Sequence, residues 1–520
     1  MSLQQKVYLI TPIAQNRHFM SRIIIALLLF ISSTAVAQKP SYKEQHRPQY
    51  HFSPPSKWMN DPNGMVFYKG EYHLFYQYYP DSTVWGPMHW GHAVSKDMLH
   101  WQHLPIALYP DSLGLIFSGS VVVDKNNTSG LKKGAEQPLV ALYTYHDLKK
   151  EKAGKEMDFQ YQGMAYSLDK GRNWTKYAGN PVIKNNGVKD FRDPKVIWHE
   201  ASKHWVMVLA VADRIDFYRS ENLKEWSFSS SFGKDEGSHG GVWECPDLVE
   251  MTVEGTNNKK WVLIVSIGNG GPNGGSATQY FTGDFDGRNF VNSNSKETMH
   301  WLDHGPDNYA GVTWSNTGNQ KLFLGWMSNW NYAQVVPTRS WRSAMTIPRT
   351  LYLKNAAGGY RLYSKPVRNL ETLRQQQHTL SVTKPTLTNG LNELILSFDL
   401  SRAAATDFGI SFTNEENELL KVGFNKEQNQ FYIDRSKAGD NSFSKLFTGS
   451  AVAPRLLSSN IVKLHVFIDH SSIEVFGDDG SVVLTSLFFP KQPLKSVQLF
   501  SDKKGLSLQQ AVLYQLKSTW

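Results

Sequence analysis

From residue 50 onward apolar and polar residues alternate with a period of two, and the 3.6-residue rhythm of an amphipathic helix is nearly absent. Alternating runs at 72–78, 139–145, 205–211, 261–267 and 321–326 predict short strands, so the chain is expected to be all-β. Several of these runs are followed by a chain-reversal block that ends in tryptophan: Ser95-Lys96-Asp97 to Trp101, Ser167-Leu168-Asp169 to Trp174, and Ser220-Glu221-Asn222 to Trp226. A looser version is Gly283-Asp284-Phe285-Asp286-Gly287. The serines stand 72 and 53 residues apart and Gly283 follows 63 later, about the length of a four-stranded propeller blade. Counting opening segments near Asp61, Ser118, Asp193, Glu244 and Tyr309 gives five blades; the competing reading is a β-sandwich with coincidental Trp turns.

The texture changes after residue 350. A linker is expected at 351–375, and beyond it further alternating runs predict a second all-β domain, a sandwich, over 376–520. A propeller over 45–350 would precede it.

The chain's 520 residues, 40% of them hydrophobic and 19% charged, exclude a disordered protein. A single cysteine, Cys245, excludes an internal disulfide framework and a cysteine-ligated zinc site. Fifteen of the 16 tryptophans precede residue 342, which puts the residues suited to stacking on sugars in the first domain. The net charge of +9 is spread without a basic run and reads as solvated surface, not as a nucleic-acid footprint. Residues 1–37 contribute three of those charges through Lys6, Arg17 and Arg22. Arg22 precedes the apolar run 23–31 and the small-residue site Ala35-Val36-Ala37, the pattern of a secretory signal peptide cleaved near Ala37, with Met1 or Met20 as the start. The run is too short to span a bilayer. An exported, periplasmic or extracellular protein without a membrane span is expected.

Three acids open blades beside residues that stiffen the backbone: Asp61 in Asn60-Asp61-Pro62-Asn63-Gly64, Asp193 in Arg192-Asp193-Pro194, and Glu244 in Glu244-Cys245-Pro246. The first strands of propeller blades line one central funnel, so residues distant in sequence converge there. Paired carboxyls suit glycoside hydrolysis, in which one is the nucleophile and the other a protonated acid whose pKa is raised by burial and by the first one's charge. An isolated Asp-Pro pair is usually only a turn; three at successive blade starts are more specific.

These three boxes, in this order, resemble the hallmark motifs of glycoside hydrolase family 32, the invertases, inulinases and levanases, over essentially the whole chain after the leader. The resemblance implies a five-bladed β-propeller followed by a β-sandwich, and a retaining double displacement that transfers a β-fructofuranosyl group to water. It makes Asp61 the nucleophile, Glu244 the general acid/base and Asp193 a stabiliser of the transition state. It places Asn60, Gln77, Trp85, Phe117, Ser118, Arg192 and Trp330 around the terminal fructose, with Arg192 expected to hold Asp193 while binding hydroxyls and Cys245 to tune the neighbouring Glu244. Segments at 85–92, 270–275, 307–311 and 341–345 resemble the exo-inulinase and levanase branch, which implies release of terminal fructose from levan, inulin or sucrose. A fructosyltransferase, an endo-acting enzyme and a non-catalytic fructan-binding protein are the alternatives on the same fold. No cofactor or metal is expected: His89, His92, His100 and His103 match no standard ligand spacing. The C-terminal Glu474 is expected to be structural, and no motif assigns an oligomeric state.

Overall fold

A computed structural model of the chain describes residues 42–356, 358–447 and 449–520. The expected signal peptide, its cleavage site and the alternative start lie outside these residues. Five antiparallel sheets follow one another between Lys57 and Pro366. Their first strands are Lys57–Tyr68, Leu115–Val123, Phe191–His199, Trp243–Thr252 and Tyr309–Thr313. Each of these touches the next in that order, and the fifth touches the first, which makes the propeller ring. The runs predicted from alternation are the second strands, and burial explains their composition: Leu139–His146 and Leu322–Met327 are buried at every position. The first and fifth segments close the ring, because Lys57 and Trp58 pair in parallel with Trp341 and Arg342, and Ser315, just after the strand Tyr309–Thr313, bridges Val66.

The tryptophan blocks are the turns between third and fourth strands. Asp97 accepts hydrogen bonds from the backbone N–H groups of Leu99 and His100 at 2.9 Å, and Trp101 Nε1 donates to the carbonyl of Met98 at 3.0 Å. Asp169 with Trp174, and Asn222 with Trp226, repeat this arrangement. A short side chain that captures turn donors, followed by an indole that caps the turn carbonyl, accounts for the Ser-x-Asx…Trp pattern.

The segment 351–375 is not a linker. Arg349–Ala356 and Gly359–Pro366 form the outer hairpin of the fifth sheet, and Arg368–Leu373 is a 3-10 turn with Leu370 and Leu373 buried. The physical signal was present, since Leu351 and Leu353 alternate with Tyr352 and Lys354 and are buried. Arg374–Thr379 then opens a sandwich of two six-stranded sheets. Leu394, Leu396 and Phe398 from one sheet and Phe408, Ile410 and Phe412 from the other fill the space between them, the inward half of a period-two pattern. Among the described residues no helix is long and apolar enough to cross a membrane.

Candidate active site

All five first strands carry a β-bulge at an equivalent place. The register advances three residues against two on the partner strand between Met59 and Pro62, Ile116 and Gly119, Arg192 and Lys195, Glu244 and Asp247, and Tyr309 and Val312. The extra residue bends a strand and re-aims its side chains. Asp193, Cys245 and Ala310 hold the same bulge position with φ of 64°, 45° and 53°, a left-handed conformation uncommon for non-glycine residues and typical of functional sites. Gly119 closes the second bulge because a Cβ there would lie 2.1 Å from the carbonyl oxygen of Leu142.

Hydrogen bonds run laterally between residues at equivalent bulge positions. Ser118 Oγ donates to Asp61 Oδ2 at 2.7 Å. Asn60 Nδ2 donates to Asp61 Oδ1 at 2.9 Å, and the Asn60 amide is itself oriented by Trp58 Nε1 at 2.8 Å. The Cys245 backbone N–H donates to Asp193 Oδ2 at 3.1 Å. Arg192 places Nε and NH2 on Glu244 Oε1 at 3.1 and 3.0 Å, and Tyr309 OH donates to Glu244 Oε2. Arg192, Glu244 and Tyr309 thus form one row across three strands.

The structure brings together Asn60, Asp61, Ser118, Arg192, Asp193 and Glu244. Gln77 is the single residue opposite the Asn60–Asp61 bulge, between Tyr76 and Tyr78; it is buried, and its Nε2 has no hydrogen-bond partner among the described residues. Trp85 meets Phe117 edge-on at 6.1 Å, and Trp330 packs on Trp326 at 4.8 Å and Trp58 at 6.0 Å. All three rings are half-buried against the same apolar cluster.

Two expectations are corrected. Arg192 grips Glu244 and, through NH1 at 2.6 Å, Asp190, whereas Asp193 lies 4.0 Å from its Nε. At its bulge position, with φ of 64°, Asp193 gives Oδ2 to the Cys245 N–H and meets Arg192 only as a looser ion pair. Cys245 does not serve Glu244; its Sγ lies 3.5 Å from Asp61 Oδ2 and 3.6 Å from Asp193 Oδ2. Burial, reinforced by those carboxylates, pushes the thiol well above its usual range, so it stays neutral.

The sequence marks Tyr309 as a blade start and as part of the 307–311 segment, but gives no sign of its bond to Glu244. Its equivalence to Arg192 and Glu244 would have exposed it. Thr144 was also missed; its Oγ1 accepts from the Asp193 N–H at 2.9 Å.

Burial raises the Asp61 pKa and Glu244 adds to the rise, while Ser118 and Asn60 oppose it. Burial pushes Asp193 up to about 7; Arg192 opposes this, and the charges of Glu244 and Asp61 add to it. Tyr309 is held protonated by burial and by Glu244, which keeps it a donor.

Three carboxyls brought together by neighbouring first strands of a β-propeller fit the carboxyl chemistry of a glycoside hydrolase. The chain belongs to glycosyl hydrolase family 32: the profile "Glycosyl hydrolases family 32 N-terminal domain" matches residues 51–366 and "Glycosyl hydrolases family 32 C terminal" matches 364–515. A levanase of Bacillus subtilis (strain 168) is 50% identical over 96% of this chain and 74% of its own. The extracellular exo-inulinase of Aspergillus awamori is 39% identical over 92% of this chain and 96% of its own. A crystal structure of exo-inulinase from that organism aligns with TM-score 0.85 and 38% identity over 92% and 100% of the two chains. The β-fructofuranosidase of Schwanniomyces occidentalis, complexed with fructosyl-erythritol, aligns with TM-score 0.82 and 34% identity over 93% and 99%.

Proposed function

We propose that the protein is an exo-acting β-fructofuranosidase that removes terminal fructosyl residues from levan, inulin and sucrose. The observation that carries this reading is the pair of separately supported carboxyls: Asp61 between two neutral donors, Ser118 and Asn60, and Glu244 between Arg192 and Tyr309. Asp61 attacks C2 of the fructosyl unit while Glu244 gives its proton to the glycosidic oxygen, so the C2–O bond breaks and the leaving alcohol departs neutral. Water then gives a proton to Glu244 and attacks C2, and Asp61 leaves as a carboxylate with the configuration retained. Neutral donors on Asp61 orient it without cancelling its charge. Asp193 holds sugar hydroxyls and stabilises the positive charge that develops at C2.

Gln77 supplies a buried donor that the sugar would satisfy, while Trp85, Phe117 and Trp330 form apolar walls for the ring. Asn60, Ser118 and Arg192 reach the sugar while holding the acids. The five successive sheets support a five-bladed count. Export is supported by the pattern of residues 1–37 and by the extracellular Aspergillus relative.

Product analysis tests the exo reading: fructose is expected as the dominant product from levan and inulin from the first minutes, and early accumulation of fructo-oligosaccharides overturns it. Tyr309→Phe removes one donor from Glu244 and leaves Arg192 in place. The expected result is a fall of about 10- to 100-fold in kcat on sucrose with an unchanged melting temperature. Wild-type kcat in that variant would show that the hydroxyl does nothing for the acid.

A further inference from the structure

Two residues beyond Asp193 on the third strand and three beyond Glu244 on the fourth lies a buried ion pair that no step of the reaction uses. Lys195 Nζ donates to Asp247 Oδ2 at 3.1 Å and to the carbonyl of Thr313 at 2.8 Å. The same Asp247 oxygen accepts from Thr313 Oγ1 at 2.7 Å and from the Thr313 N–H at 2.5 Å. All three residues are buried.

The position of this cluster is specific. Lys195 and Asp247 are the closing residues of the bulges in the third and fourth strands, and Thr313 follows Val312, the closing residue of the fifth. These are the strands that carry Asp193, Glu244 and Tyr309. The equivalent closing residues of the first two strands are Pro62 and Gly119, which offer no side-chain tie. Lys195 also lines a small cavity shared with Ser118, Asp193 and Cys245.

A buried ion pair is weak as a source of stability, because desolvation offsets its attraction. Its geometry, however, is restrictive: one ammonium and one carboxylate oxygen fix the spacing of three strands two to four residues from Asp193, Glu244 and Tyr309. We propose that Lys195, Asp247 and Thr313 form a positioning tie for the fructosyl-transfer reaction, setting the separation of Asp193, Glu244 and Tyr309 by locking the three bulges together. The tie contacts no sugar. It acts on the barrier through alignment, where a displacement of about 1 Å costs on the order of 10²-fold in rate.

This inference rests on the β-fructofuranosidase reading, and wild-type protein on sucrose in the same assay keeps the two separable. Wild type without sucrose hydrolysis would defeat that reading; active wild type with an equally active tie variant would defeat this one. The decisive variant is the double replacement Lys195→Met with Asp247→Leu. It removes both charges together and leaves no buried ion uncompensated, an exchange that proteins commonly tolerate. Melting temperature is expected to stay within a few degrees of wild type, with kcat lowered about 100-fold and KM within about threefold. A purely structural pair would move the melting temperature and leave kcat of the folded enzyme unchanged, which overturns the proposal. Should the double variant not fold, Thr313→Val decides, because it deletes one donor and keeps the shape. A loss of about fivefold or more in kcat at constant KM supports the tie, and unchanged kcat overturns it.

Discussion

Asp61→Asn is expected to lower kcat on sucrose by about 10⁴-fold or more while leaving the melting temperature unchanged. Asn preserves the shape that Ser118 and Asn60 support, so the loss reports chemistry and not folding. Removing a nucleophile in a system that works as a unit has effects of this order. Glu244→Gln is expected to fall by about 10²- to 10⁴-fold, and the two losses differ in kind. A fructosyl donor with fluoride as leaving group needs no proton, and azide as acceptor needs no base. That combination is expected to restore much of the Glu244→Gln turnover and none of the Asp61→Asn turnover. Wild-type-like hydrolysis of sucrose by either variant would overturn the assignment. The pH profile carries the same logic: burial raises the Asp61 pKa, so the acid limb of kcat/KM should lie above the ordinary aspartate range, with activity lost as pH falls through it.

The five-segment repeat and the three acids were legible because they are punctuated by proline, glycine and tryptophan, residues whose backbone constraints show in sequence. The lateral contacts were not. Arg192 stands beside Asp193 in the chain and Cys245 beside Glu244, so adjacency suggested those pairings. A bulge turns each consecutive residue toward a different partner, and the phase shift that its extra residue makes in a period-two pattern cannot be read where the strand is buried without alternation, as from Phe191 to Val196. Once the bulges are aligned, Arg192, Glu244 and Tyr309 fall at one position, and Lys195 and Asp247 at another. The linker at 351–375 failed for a different reason: the loss of tryptophan after Trp341 resembled the end of a domain, although Leu351 and Leu353 continued the alternation into the fifth sheet.

Arg349→Met is expected to destabilise the protein by about 3–5 kcal/mol, read as a fall in apparent melting temperature on the order of 5–10 °C. Arg349, from the fifth sheet, donates through NH1 to Asp303 Oδ2 at 2.9 Å and through Nε to Glu474 Oε2 at 3.2 Å, and all three side chains are fully buried. Asp303 belongs to the propeller segment and Glu474 to the sandwich, so the guanidinium joins the two. Thr485 of the sandwich adds its N–H and hydroxyl to Asp303 at 2.9 and 2.6 Å. Methionine would fill the stem's space, leave the buried Asp303 carboxylate without its Arg349 partner and leave Glu474 to His51, which costs far more than the intact network contributes. His51 makes this junction sensitive to pH, since its ring bridges Asp469 at 2.8 Å and Glu474 at 3.1 Å. Burial works against its charge, and the two carboxylates outweigh burial and raise its pKa from 6.5 to about 9. A raised folded-state pKa means that the stabilisation is fully present below pH 6.5 and is lost as pH rises to about 9. Wild type should therefore lose melting temperature across that window, and His51→Gln should start lower and lose less. An Arg349→Met variant that melts with wild type, or a wild-type melting temperature that rises from pH 6.5 to 9, would show that this network does not hold the sandwich to the propeller.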